Sequence, residues 1–209
     1  MDKIIIASDF DGTITLIDSL FNFFETYALK EWKDVEELWE NKIIGSKECL
    51  EKEFALVPNL SEELIEEYTK TIKIDPYFED FFAFTKRVGI DFVVVSDGVD
   101  YFINKIFKNT GVSNVKIFSN HGEFINGKLV LSYPNTNPLC KKNSGTCKCS
   151  IISNLKKKCD RVYYVGDGTS DFCVADKVNK VYAKTKLANY CRENNIDYVE
   201  FENFKNLIF

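Results

Sequence analysis

Three short apolar runs, each ending at a turn that carries a small or acidic residue, constrain this chain more than any other feature. Ile4-Ile5-Ile6-Ala7 leads into Asp9-Phe10-Asp11-Gly12-Thr13. Phe92-Val93-Val94-Val95 leads into Ser96-Asp97-Gly98, and Val162-Tyr163-Tyr164-Val165 into Gly166-Asp167-Gly168-Thr169-Ser170-Asp171. Runs this short, rich in Val and Ile and without polar alternation, are the pattern of strands buried on both faces, hence of a parallel sheet covered by helices. A helix is predicted over 99–109 after the second run and another after the third, with Lys148 lying between them at the start of the segment 151–158. Ligands of such sheets bind in the crevice beyond the carboxyl ends of the strands. Asp9, Asp11, Ser96, Asp167 and Asp171 are therefore expected at one rim.

The first turn carries its own chemistry. Asp9 and Asp11 are two apart on an emerging strand, so their carboxylates face the same way. Like charges that close repel unless a cation or protons neutralise them, which makes the pair a metal site or an acid/base couple. Gly12 allows the tight turn that follows.

Composition narrows the class. At 209 residues with 45% hydrophobic and 14% aromatic content, the chain can bury a large core, and one α/β domain with an insertion fits better than two independent domains. The net charge is -5 and Lys and Arg are scattered, so no basic stripe points to nucleic acid. The N-terminus enters a strand at once, without the pattern of a secretory signal, and no apolar run reaches membrane-spanning length. Seven cysteines make a poor disulfide framework, and a cytoplasmic protein is expected. Cys140, Cys147 and Cys149 cluster beside Lys148, but no second CxxC-type pair accompanies them, so packed thiols are expected rather than structural zinc. His121, the one histidine, is expected to be structural or rim-forming.

The stretch 15–75 departs from the strand-helix rhythm. Helix-spaced apolar residues such as Val35, Leu38 and Trp39, a segment from Ser46 ending before Pro58, and Ser61 followed by acidic residues all read as helices. A helical bundle inserted after the first strand is the economical interpretation, with Phe21, Phe24, Trp32 and Trp39 mostly in its core. The core domain then comprises 1–14 and 76–209, the insertion 15–75. Pro76 opens a helix to Arg87. Asn126-Gly127 marks a hairpin within 118–131, and a strand at 178–183, a helix at 187–194 and a short strand at 198–201 complete the order.

The DFDGT motif, the Ser96 motif, the isolated Lys148 and the GDGTSD motif together resemble the haloacid-dehalogenase-like hydrolases, most of which are Mg²⁺-dependent phosphatases. Ser119-Asn120-His121, the Cys-rich approach to Lys148 and Leu187-Ala188-Asn189-Tyr190-Cys191 resemble the branch that holds phosphoserine phosphatase and the methionine-salvage phosphatase acting on 2-hydroxy-3-keto-5-methylthiopentenyl-1-phosphate. The resemblance implies a Rossmann-like α/β sheet with a helical cap. It implies Asp9 as the nucleophile that forms an aspartyl-phosphate and Asp11 as the acid/base. Mg²⁺ would be held by Asp9, the backbone carbonyl of Asp11 and Asp167, with Asp171 behind them. Ser96, Lys148 and the backbone about Asp97 and Gly98 would bind phosphate.

An inserted bundle folded over the crevice brings the residues just after the first motif nearest the leaving group. Asp18, Phe21 and Glu25 are the resulting candidates for contacting the rest of a small phosphomonoester. A carboxyl at the Asp11 position favours phosphate chemistry over dehalogenation. Hydrolysis of a metabolite, transfer to a second hydroxyl as in a phosphomutase, and a non-catalytic phosphate-binding role all stay open at this point. Phosphoserine phosphatases hold their substrate's carboxylate with a cap arginine, and 15–75 contains no arginine, although Lys42 or Lys47 could substitute.

Overall fold

The computed structural model describes residues 2–140 and 142–207. In chain order, β1 (Ile4–Ser8) is followed by four helices, α1 (Ser19–Tyr27), α2 (Trp32–Glu40), α3 (Ser46–Ala55) and α4 (Glu62–Thr69). Next come α5 (Phe78–Arg87), β2 (Asp91–Val99), α6 (Asp100–Asn109) and a hairpin of β3 (Lys116–Ile125) and β4 (Lys128–Ser132). The chain continues through α7 (Lys148–Lys156), β5 (Arg161–Gly166), a 3-10 turn at Thr169–Asp171 running into α8 (Phe172–Ala175), β6 (Lys180–Ala183), α9 (Thr185–Glu193) and β7 (Val199–Glu200). Among the described residues, no helix is long and apolar enough to cross a membrane.

The strands form one seven-stranded sheet in the order β4-β3-β2-β1-β5-β6-β7. All neighbours are parallel except β3 and β4, whose turn places Asn126 and Gly127 at φ 51° and 75°, the left-handed geometry of a tight hairpin. β1 lies between β2 and β5, with Ser8 level with Val94 and Val165. The motifs that follow these three strands therefore emerge side by side.

Period-two alternation sorts β1, β2 and β5 between two cores, which is why their apolar runs do not alternate with polar residues. Ile5, Ala7, Val93, Val95, Val162 and Tyr164 pack with Ile151, Ile152 and Leu155 of α7 on one face. Ile6, Phe92, Val94 and Val165 face the other way, into an aromatic core with Phe78, Phe81 and Phe107.

That second core runs without a break into the four helices that follow β1. Phe102, in the first turn of α6, is their footing: Phe23 and Phe54 meet its ring at 5.1 and 5.8 Å. The chain enters and leaves this helical segment through one narrow stem, an antiparallel bridge between Thr15 and Ile74 backed by Asp75 N–H to Ile14 C=O at 2.8 Å. Asp18 caps α1 by accepting the Phe21 N–H at 2.9 Å, and Ser61 caps α4 by accepting that of Leu64 at 3.2 Å.

Three expectations shift. Trp32 and Phe24 are buried as predicted, but Phe21 is exposed with its ring edge-on to Trp32, and Trp39 is half-buried. β2 continues through Gly98 to Val99, so α6 starts at Asp100, one residue late. The helix after the third motif shrinks to a 3-10 turn and four residues of α8, and the Asp171 carboxylate caps the start of the turn by accepting the N–H groups of Asp167 and Gly168.

Candidate active site

Lys148 is the hub of the rim. The first residue of α7, it is buried, and its ammonium lies 2.8 Å from Asp9 Oδ2, 2.7 Å from Asp171 Oδ1 and 2.9 Å from Ser170 Oγ. Burial opposes its charge, but Asp171, Asp9 and Asp97 overcome that cost and hold it above the usual lysine range. A sequence position that could pass for one surface lysine among many is thus the cation that neutralises the centre.

Asp9 sits at the end of β1, its N–H bonded to Val165 C=O at 2.8 Å and its Oδ1 accepting the Phe10 N–H at 2.8 Å. Burial, then the neighbouring Asp171 and Asp167, push its pKa well up against the pull of Lys148. Asp167 is half-buried and accepts Thr13 Oγ1 at 2.5 Å; burial raises its carboxyl to about 6. Gly12 makes the approach of these two motifs possible. Its φ is +70°, and a Cβ there would stand 2.7 Å from Asp167 Oδ2.

Oxygens of Asp9, Asp167 and Asp171 all lie within 4.8 Å of one another. Their bonding separates their capacities. An ionised carboxylate offers about four lone-pair sites, and Asp171 has filled them: Oδ1 accepts from Lys148 and Tyr164, Oδ2 from the N–H groups of Asp167 and Gly168. Asp9 and Asp167 retain capacity and face each other. Hard oxygen donors of this kind suit Mg²⁺.

Asp11 is held apart from that group. Its Oδ1 accepts both the N–H and the hydroxyl of Ser19, at the start of α1, while its Oδ2 lies against Gly98. Burial and the nearby charge of Asp18 lift its pKa to about 7, the range in which a carboxyl can both give and take a proton at neutral pH.

Ser96 is buried within β2, three residues before its end, with its Oγ accepting the Gly98 N–H at 2.9 Å. The Asp97 side chain turns away and accepts the Thr146 N–H at 3.0 Å, while its carbonyl takes the Asn120 side-chain amide at 2.6 Å. Asn120 in turn accepts Thr146 Oγ1 at 3.0 Å. The Asp97 and Asn120 side chains thereby brace the loop that delivers Lys148. On the opposite side, Thr185 adopts φ 49°, unusual for a β-branched residue, with its hydroxyl donating to Asp167 C=O at 2.8 Å.

Of the candidates in the inserted helices, Asp18 caps α1 close enough to raise the Asp11 pKa. Phe21 is exposed beside it, and Glu25 is a surface residue 3.9 Å from Lys33. His121 binds Asp100 Oδ2 through Nδ1 at 2.7 Å on β3, two strands from β1 and its Asp9. Thr13, Ser19, Tyr164 and Thr146 also hold the site together. Ser19 and Thr146 have no periodic signal, and Tyr164 reads as one more apolar strand residue.

Comparison with known proteins adds a second line. A family model described as Putative Phosphatase matches residues 4–202. The chain is 31% identical over 198 residues to a 2-hydroxy-3-keto-5-methylthiopentenyl-1-phosphate phosphatase of Bacillus thuringiensis (strain Al Hakam), a match covering 94% of this chain and 90% of the relative. Its fold is similar to a phospho-aspartyl intermediate analogue of phosphoserine phosphatase, with TM-score 0.72, 21% identity and coverage of 100% and 98%. It is also similar to a HAD family hydrolase from Salmonella enterica serovar Typhi, with TM-score 0.74, 16% identity and coverage of 98% of this chain and 69% of the other.

Proposed function

The chain belongs to the putative phosphatase family and is a phosphoric monoester hydrolase with a HAD-like fold, and from this premise we propose that it is a Mg²⁺-dependent phosphatase of a small metabolite, working through an aspartyl-phosphate on Asp9. The observation that carries the proposal is the division of labour at the rim. Asp171 is fully occupied, Asp9 and Asp167 keep free lone pairs beside it, and Lys148 supplies the buried positive charge.

Asp9, Asp167 and the backbone carbonyl of Asp11 would hold Mg²⁺, with Asp171 steadying Asp167 from behind. The ion, when bound, supplies positive charge that offsets the repulsion between carboxylate and phosphate. Asp9 attacks phosphorus in line with the leaving oxygen, and Lys148, Ser96 and the Asp97 and Gly98 backbone hold the phosphoryl oxygens. Asp11 gives its proton to the departing alkoxide and then takes one from the water that cleaves the aspartyl-phosphate. A carboxyl lifted to about 7 suits both steps.

Residues 15–75 form a cap in this reading. Their single stem at Thr15 and Ile74 and their footing on Phe102 support a unit that closes over the crevice and limits the substrate to a small molecule. Asp18 is our candidate among the cap residues for meeting the leaving group. The substrate named for the Bacillus relative, 2-hydroxy-3-keto-5-methylthiopentenyl-1-phosphate, lacks a carboxylate, and the absence of arginine from 15–75 favours it over phosphoserine. Seven free thiols support a reducing, cytoplasmic setting.

The test is turnover of that substrate and of phosphoserine by wild type and Asp9→Asn with Mg²⁺, with acid-quenched protein analysed for phosphate on Asp9. Asp9→Asn should lose about 10⁴-fold in rate while melting like wild type. Multiple turnover by folded Asp9→Asn, or full activity after exhaustive chelation, refutes the mechanism.

A further inference from the structure

A second group of ionisable side chains lies in the inserted helices, and the phosphatase mechanism does not use it. Glu36 of α2 and Cys49 and Glu53 of α3 bring one ligand atom each to within 4.8 Å of one another. Cys49 and Glu53 are one turn apart on the same helix face, and Cys49 Sγ lies 3.8 Å from Glu36 Oε2. Glu53 is only 5% exposed, yet its Oε1 has no hydrogen-bond partner among the described residues.

A carboxylate oxygen buried without a donor costs folding free energy. A helix position facing the interior is more cheaply filled by a leucine. The neighbouring groups deepen the problem, since Glu36 offers a second carboxylate and Cys49 a buried thiol, so neither supplies the missing positive charge. What the cluster lacks is a cation.

We propose that Glu36, Cys49 and Glu53 form a binding site for a borderline divalent transition-metal ion of the Zn²⁺ type, which pins α2 to α3. The donor set decides the class of ion. One sulfur with two carboxylate oxygens suits Zn²⁺ or Co²⁺ and not Mg²⁺, which takes oxygen ligands. The spacing fits as well. At usual Zn–S and Zn–O lengths, neighbouring ligand atoms on a tetrahedral ion stand about 3.5 Å apart, near the 3.8 Å between Cys49 Sγ and Glu36 Oε2. On binding, the thiol proton and any proton shared by the two carboxyls leave to solvent, and a water completes the coordination on the half-buried Glu36 side. The site is independent of the catalytic rim, whose carboxylates offer oxygen only.

The experiment is a Co²⁺ titration of the full chain after chelation and dialysis under reducing conditions, followed by near-ultraviolet absorption and competed with Zn²⁺. A thiolate-to-cobalt charge-transfer band saturating at about one equivalent, displaced by Zn²⁺ but not by Mg²⁺, is expected. Cys49→Ser should abolish the band, and Glu53→Gln should weaken Co²⁺ binding at least tenfold, while both variants keep the wild-type circular dichroism spectrum. Zn²⁺ should raise the melting temperature of wild type and not of Glu53→Gln. A band that persists in Cys49→Ser would come from the cysteines near Lys148 and would overturn the assignment. Absence of any band in folded wild type would also overturn it, leaving Glu36 and Glu53 as a proton-sharing carboxyl pair.

Discussion

The rim of the sheet and the inner side of the inserted helices are both acidic, but they treat their acids differently. At the rim each carboxylate has partners: Asp171 accepts four hydrogen bonds, Asp9 is paired with Lys148, Asp167 holds Thr13 and Asp11 holds Ser19. In the helices, one buried oxygen of Glu53 has no hydrogen-bond partner among the described residues and Phe21 lies exposed. The contrast teaches where preorganisation is needed. Groups that face developing charge must already be in place, because reorganising them during reaction would cost rate.

The comparison breaks most readily at its hub. Lys148→Met should destabilise the protein by about 3–5 kcal/mol, because it leaves Asp9 and Asp171 buried without their cation; urea unfolding measures it. A variant as stable as wild type would mean that the rim is less tightly coupled than its distances imply. Activity should fall in the same variant even under conditions where it is fully folded.

Asp11 sharpens the difference through pH. Its carboxyl is raised to about 7, so the proton it must donate is present below that pH and lost above it. Turnover of an alkyl phosphate should fall about tenfold per pH unit above that point, whereas p-nitrophenyl phosphate, whose leaving group needs no proton, should respond less. Stability without divalent ions should decline as pH rises from about 4 towards 7, since the unfolded chain releases this proton first, and Asp11→Asn should flatten that decline. Parallel pH-rate profiles for the two substrates would remove Asp11 as the general acid.

The smallest effect belongs to the helices. Asp18→Ala removes the α1 cap and should cost about 1 kcal/mol by thermal melting. If Asp18 also meets the leaving group, kcat/KM for the physiological phosphate should fall several-fold more than for p-nitrophenyl phosphate. Equal losses would confine Asp18 to its capping role.

The strands were legible because burial on both faces leaves a signature that only a covered parallel sheet produces. Ile4-Ile5-Ile6-Ala7 and Phe92-Val93-Val94-Val95 each divide between two cores by alternation. The helices of 15–75 were legible from their spacing and caps, Ser61 above all. Boundaries were not: α6 begins only at Asp100, and the helix after the third motif amounts to a 3-10 turn and four residues of α8.

By itself the sequence determined the sheet, the order of the motifs along the chain and the residue types that phosphate chemistry requires, since these depend on periodicity and on functional groups. Only the tertiary structure decided how those groups divide the work. Whether Lys148 is a surface lysine or a buried bridge depends on Asp9 and Asp171, 139 positions before it and 23 after it. Whether Asp171 or Asp167 has room for an ion depends on which donors reach it, among them Tyr164 on β5, the strand that leads into this motif, and Thr13 from a distant turn. Glu53 shares the helical face of Cys49, Leu50 and Phe54, but what surrounds its carboxyl there is set by the packing of α2 against α3. Charge state and bonding capacity are properties of surroundings, and surroundings form only when the chain closes on itself.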